Sequence, residues 1–370
     1  MLQKALVMLF VVAGIAIGTG CGTTANQYVY ATLPDANQVI AYREDPNSGV
    51  LTQIAGSPYA VGDGVNSIVI HPSGKFLYTS NPGQGENDIS LFTIGGNGTL
   101  IEGSRTTVLP NTLPEILQMD PAGNFLYVAN FGSNTISVFS IDSSTGALTF
   151  SSQVATGIAP QSMILSPSGN FLYVSLTNQP YGFIEGFSIS SGVLTPIAPV
   201  NTDNPDPDAL AIDPSGTHLY VANSSASSSI SIFTIDSAGG LAEVAGSPIS
   251  DTYTNPLSLV LDPTGTYLYV ANQGSSNIAA YSIDTSTGLP AILTTTTTTG
   301  AFATESNPSY VVVDPSGKYL FVGNTGSGAG VQVFSVAAGN LTAVQTYIVG
   351  NRASSIAVLG AASSSTSTSK

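Results

Sequence analysis

The stretch "DPSGTHLYVAN", residues 213–223, has near-copies along the whole chain. Its turn recurs as "HPSG" at 71, "DPAG" at 120, "SPSG" at 166, "DPTG" at 262 and "DPSG" at 314. After each turn comes an apolar run: "FLYTSN", "FLYVAN", "FLYVSL", "YLYVAN" or "YLFVGN". Asp, then Pro, then Gly at the fourth place are type I turn preferences, and the Asp side chain can bond a backbone amide two residues on. The motif therefore reads as a hairpin turn and the strand that leaves it.

Three more strands accompany each copy. One precedes the turn, as in "LAIDP" or "YVVVDP". A third follows, as in "TISVFSI" or "SISIFTI", and a weaker fourth begins near "GALTF" or "GNLTAV". Four strands in about 40–50 residues, repeated, are the mark of a β-propeller. One such sheet cannot bury both faces alone, so the sheets must stack around an axis. An array of sandwiches fits less well, since those repeats run to about 100 residues. "YVYAT" at 28–32 is a seventh copy of the second strand, with no first strand before it. "RASSIAVLG", residues 352–360, aligns with the first strand of the last repeat. The expectation is an all-β fold, a seven-bladed propeller of four-stranded blades over residues 28–360. A C-terminal strand completes the first blade and removes free edges. The threonines at 294–299 fall in an outer strand or loop of the sixth blade, and 361–370 read as a disordered Ser/Thr tail.

Residues 1–20 read as a signal peptide: Lys4, then an apolar run from Ala5 to Gly18, too short to span a bilayer. The single cysteine, Cys21, follows in "IGTGCG". That resembles a bacterial lipoprotein signal, which implies lipid attachment at Cys21, a tether at 21–27 and a periplasmic or cell-surface address. Ordinary cleavage nearby, with secretion, is the alternative. One cysteine excludes a disulfide framework. The chain carries seven Lys and Arg against 22 Asp and Glu. Nucleic-acid binding and docking to anionic lipid are not expected of so acidic a chain; the membrane enters only through the lipid anchor.

The period, the "DPSGKYLFVGN" element and the following "TISVFSID" resemble the lactonase-type seven-bladed propellers, which include bacterial 6-phosphogluconolactonases and fungal muconate-lactonising enzymes. The resemblance covers roughly residues 28–360. It implies that fold, and lactone hydrolysis as an activity. The phosphogluconolactonase branch carries a Pro-Arg-His triplet before one inner strand and Asn-Glu-Leu after one second strand. Here the corresponding places hold "PEI" (114–116), "PQS" (160–162), "PDA" (207–209), "PLS" (256–258) and "PSY" (308–310), and "NSS" (223–225) and its counterparts. Neither motif is present, so no catalytic residue carries over.

In a propeller, loops joining second to third strands share one face with the loops leading into each next blade. The "DPSG" turns lie on the opposite face. His71 and His218 then sit at the turn end, as turn or packing residues. Lys75, Lys318 and Arg43 fall there too, and Arg105 falls on an outer strand. Only Arg352 is expected toward the loop face. One arginine and no histidine suit a phosphosugar poorly, and neither a Ser-His-Asp set nor a His/Cys metal cluster can be assembled.

Carboxylates abound on the loop face. Incoming loops carry Asp63, Glu115, Asp203, Asp206, Asp208, Asp251 and Glu305. The second-to-third loops carry Glu86, Asp88 and Glu185. The densest run is "NTDNPDPDA", 201–209. Such groups could hold a divalent cation such as Ca²⁺, perform acid–base work, or form a solvated rim. Tyr59, Phe131, Tyr181, Phe183, Tyr253 and Phe302 fall in or near loops, where they either pack or display. Glu115, Asp206, Asp208, Glu305 and Arg352 are the candidate functional residues.

Two functions of different class remain. One is an exported binding or scaffold module, taking a small molecule, carbohydrate or protein at the loop face. The other is a lactonase-type hydrolase using acidic loop residues, with or without a divalent cation. The missing cationic and histidine equipment favours the first.

Overall fold

The computed structural model describes residues 27–360, apart from 84, 110–111, 179–180, 203–205, 226–227, 251, 295–298 and 327–328. The expected signal peptide, Cys21, most of the tether and the 361–370 tail lie outside the described residues. So do Asp203 and Asp251.

Seven antiparallel sheets follow one another along the chain, each with four strands in sequential order. Blade 5 is representative: Pro207–Ile212, His218–Asn223, Ser229–Ile235 and Leu241–Glu243. Blade 1 is the exception that closes the ring. Its innermost strand is Ile356–Leu359, paired with Gln27–Leu33 from Tyr28↔Leu359 to Ala31↔Ile356. In blades 1, 5 and 6 the outer strand is broken into two pieces that pair with the same third strand. In blade 6 the pieces are Pro290–Ile292 and Ala301–Ala303, and most of the threonine run, 295–298, lies outside the described residues.

The core consists of wedges between neighbouring sheets. Side chains alternate along a strand, so each second strand feeds two wedges. Tyr269 and Ala271 pack with Leu320 and Val322 of blade 7, while Leu268 and Val270 pack with Tyr220 and Ala222 of blade 5. This explains why "LYVAN" is apolar at successive positions yet lies in an antiparallel sheet.

The opening motif behaves as its chemistry requires. Gly216 donates to the Asp213 carbonyl at 2.9 Å and takes φ 73°. The Asp213 carboxylate accepts from the Thr217 amide at 2.8 Å and the His218 amide at 3.2 Å. Asp262 and Asp314 accept from the amide two residues on, that of Thr264 and Ser316, where Asp213 accepts from the Ser215 hydroxyl instead. The turns also touch around the ring. A Cβ on Gly265 would stand 3.0 Å from the Pro214 ring, and one on Gly169 would stand 2.9 Å from Pro121.

A second device joins the blades. The buried tyrosines of the second strands donate their hydroxyls to the third-to-fourth-strand turn of the next blade. Tyr30 reaches the Gly98 carbonyl (2.9 Å), Tyr78 that of Gly146 (2.7 Å), Tyr173 that of Gly239 and Tyr220 that of Gly288 (both 2.9 Å). Tyr127 and Tyr269 face shorter turns, Ser191-Gly192 and Ala338-Gly339, and their buried hydroxyls have no partner.

Candidate functional site

The seven innermost strands stand side by side around the axis. Each starts at the loop face, and those of blades 2 to 7 end in a "DPSG"-type turn. In blades 3 to 7 the second residue of that strand is skipped by the ladder. Asn130 pairs with Pro114 and Ala129 with Ile116, which leaves Glu115 as the extra residue of a bulge. The same shift isolates Gln161, Asp208, Leu257 and Ser309. Bulges re-aim a side chain and are frequent beside active sites. Asn66 and Ser354 occupy the matching places in blades 2 and 1. The result is a band of mostly polar residues at the loop-face end of the channel.

Hydrogen bonds lock part of this band. The Asn66 side-chain amide donates to the Glu115 carboxylate at 2.8 Å and to its carbonyl at 3.3 Å. The Ser80 hydroxyl donates to the same carbonyl at 3.0 Å, satisfying a group the bulge releases. Ser354 contacts the Thr32 hydroxyl at 2.9 Å and donates to the Asn66 carbonyl at 3.3 Å. In blade 5 the Ser224 hydroxyl donates to the Asp208 carboxylate. Gln161, 6% exposed, donates to the Ala159 carbonyl at 3.3 Å.

Of the five candidate residues, Glu115 and Asp208 lie in this band, on blades 3 and 5. Asp206 precedes it, and its carbonyl accepts the Ser224 amide at 2.9 Å. Glu305 sits at the junction of blades 6 and 7, with its amide on Gln332 and its carboxylate accepting from Thr346. Arg352 stands at the seam of blades 7 and 1. Its Nε lies 3.1 Å from both Asp35 oxygens and its Nη2 lies 2.9 Å from Oδ1. The bonded guanidinium holds the Asp35 carboxyl below the usual carboxylate range.

Several placements differ from expectation: Glu115, Asp208 and Asp88, expected in loops, lie in strands. Arg352 is not alone at the loop face. Arg105, on the outer strand Leu100–Thr107, reaches up to Glu86 (3.2 Å) and Asp88 (3.9 Å) and also pairs with Glu102 (3.3 Å). An eight-residue outer strand carries its C-terminal part to the loop-face end, which strand identity alone does not reveal. Glu185 is a strand residue rather than a loop residue. Its carboxylate accepts from the Gly157 amide at 3.1 and 3.2 Å, and burial pushes its pKa up. Burial likewise raises Asp88, against the bond from Asn81.

The aromatics divide. Phe302 is buried, while Phe183 and Tyr253 pack against the wedges. Tyr181 is displayed, at 49% exposure. Both histidines stay at the turn end. His71 bridges to the Gly123 carbonyl of the next blade at 2.9 Å, and His218 Nδ1 lies 3.0 Å from Asp213. Burial works upward on Asp213, but the bonds from His218, Ser215 and Thr217 outweigh it and hold the carboxyl below its ordinary value. Among the described residues, no three His, Cys, Asp or Glu side chains come together as metal ligands. No helix of the described residues is long and apolar enough to cross a membrane.

Sequence reasoning missed Asn66, Gln161, Ser309 and Ser354. The signal available was the residue after the Pro that opens an inner strand, read down the repeats as one column in which Val65 and Ala353 replace the Pro of blades 2 and 1.

The chain matches the family model "Lactonase, 7-bladed beta-propeller" over residues 23–161, 160–249, 190–303 and 254–358. A curated relative, a 6-phosphogluconolactonase of Formosa agariphila, is 45% identical over 83 residues, 22% of this chain and 23% of the relative. One from Bacillus subtilis, also a 6-phosphogluconolactonase, is 28% identical over 139 residues, 36% of this chain and 39% of the relative. The alignment thus spans well under half of either relative's length. Among solved structures, a putative 6-phosphogluconolactonase from Bacteroides fragilis superposes with TM-score 0.76 at 19% identity, covering 91% of this chain and 99% of the other. The periplasmic gluconolactonase of Pseudomonas aeruginosa superposes with TM-score 0.71 at 16% identity, covering 90% and 99%. These likenesses carry the fold. With the family model matched almost from end to end, the chain belongs to the lactonase family of seven-bladed β-propellers.

Proposed function

We propose that the chain hydrolyses a lactone at the loop-face mouth of its channel. The observation that carries this reading is the run of bulges that puts Glu115, Gln161 and Asp208 at the mouth on three consecutive blades. Lactone opening needs a base to take a proton from water and a donor for the oxyanion. Glu115, oriented by Asn66, is the base. The Gln161 amide, between the two carboxylates in blade order, is the oxyanion donor. Water oxygen bonds to the carbonyl carbon, the ring C–O bond breaks, and Glu115 returns its proton to the leaving alkoxide. Asp208, held by Ser224, faces the substrate hydroxyls. Family membership supports this hydrolase over the scaffold reading. The absence of the Pro-Arg-His and Asn-Glu-Leu triplets is what still favours binding without chemistry.

Glu115→Gln should lower kcat/KM on glucono-1,5-lactone by about 100-fold, with the melting temperature little changed. Wild-type activity in that variant would exclude Glu115 as the base. We also propose that the protein acts outside the cytoplasm, from the apolar segment before Cys21.

A further inference from the structure

We infer that the substrate is an uncharged, hydroxyl-rich lactone, and that Asp35 enforces this by occupying Arg352. The inference rests on the lactonase reading and adds the chemical class of the substrate.

A phosphate needs guanidinium, ammonium or clustered backbone amides. Among the described residues, the loop face presents two guanidinium groups. Arg352 is gripped by Asp35 fork against fork. Asp35 is fixed for this in the short helical turn Pro34–Ala36, whose Pro presets the backbone. Arg105 is ringed by Glu86, Asp88 and Glu102 at the outer edge of blade 2, far from the innermost strands in sheet order. Lys75 and Lys318 follow turns on the opposite face.

Four backbone amides at the mouth are spoken for as well. The residue ahead of the innermost strand takes a left-handed conformation in blades 2, 3, 4, 6 and 7, at Gly64, Leu113, Ala159, Asn255 and Asn307. Such a bend could turn its N–H toward an anion. The first four donate instead to a side chain of the preceding blade: Asn37 (2.8 Å), Asn87 (2.9 Å), Asn134 (2.8 Å) and Ser228 (3.1 Å). A phosphate at the mouth would therefore meet Glu115 and Asp208 with no cation to offset them. The same band suits sugar hydroxyls, which both donate to carboxylates and accept from amides.

The Asp35–Arg352 pair is half-exposed, so it excludes anions by position and charge rather than by stability. Freed, Arg352 would become an anion site at the rim.

The test compares glucono-1,5-lactone with its 6-phosphate as substrates, and gluconate with 6-phosphogluconate in calorimetric binding, for wild type, Asp35→Asn and Asp35→Glu. The wild type should prefer the uncharged lactone by about tenfold or more in kcat/KM. Asp35→Asn should narrow that ratio by improving the phosphorylated substrate, more at low salt than at high, and Asp35→Glu should restore it. Equal or better use of the phosphorylated lactone by wild type overturns the inference. An Asp35→Asn ratio identical to wild type overturns the role of Asp35. If neither lactone is hydrolysed yet gluconate binds over 6-phosphogluconate, the hydrolase reading fails and the charge selection stands.

Discussion

Tyr220 and Tyr127 occupy the same place in their blades, yet only one hydroxyl is used. Tyr220 donates to the Gly288 carbonyl in the six-residue loop "DTSTGL", while Tyr127 meets a two-residue turn and finds no acceptor. Burial pushes both phenols up, so both stay protonated donors. Tyr220→Phe should cost about 1 kcal/mol, because it strands a buried carbonyl as well as losing a bond. Tyr127→Phe should be neutral or stabilising, because it removes an unpaired polar atom. Urea unfolding of the two variants checks this, and equal losses would refute it. The pairing was legible in principle. Tyr and Gly partners lie 66 or 68 positions apart in all four bonded cases, a second period laid over the first.

Between elements, the contact of blade 1 with blade 7 holds an unusual group. Glu44 ends the strand Gln38–Glu44, is 1% exposed, and neither carboxylate oxygen has a partner. Burial first, then the charges of Asp314 and Asp45, raise its pKa from 4.5 to about 8. Tyr319 is the other titratable neighbour, raised chiefly by burial and next by Glu44. Between pH 4.5 and about 8 the folded chain keeps a proton that the unfolded chain has released. Stability from this group is thus complete below the unfolded value and is lost as pH rises through the folded one. The expected fall is on the order of a few kcal/mol. Glu44→Gln should flatten the curve of melting temperature against pH across that window, and an unchanged slope would assign the effect elsewhere. The strands themselves were legible, since turn residues and apolar runs mark them directly. The bulges were not. A bulge is a shift in pairing, and Glu115, Gln161, Asp208, Leu257 and Ser309 share no chemistry that would announce one. Glu115 and Asp208 were found as acids in loops. Their neutral partners Asn66 and Gln161 carry no charge to draw the eye.

For the molecule as a whole, the repeat count and the closing strand were legible because only a ring leaves no blade with a bare face. The address is a matter of the whole chain too. Full-length protein should fractionate with membranes and incorporate labelled fatty acid, and Cys21→Ser should release it to the extracytoplasmic soluble fraction. Recovery of the wild type in the cytoplasm would defeat the export proposal. The closing strand also sets an order in time. Gln27–Leu33 is made before the other six blades, but its inner neighbour Ile356–Leu359 is made after them. Six blades can assemble from contiguous chain as it emerges, whereas blade 1 must wait with an open edge until the other six have been synthesised. An exported chain would carry that edge across the membrane with it. For such a chain the last step of folding would fall outside the cell's interior, where chaperones driven by ATP are absent, and the first blade would be the last to be finished.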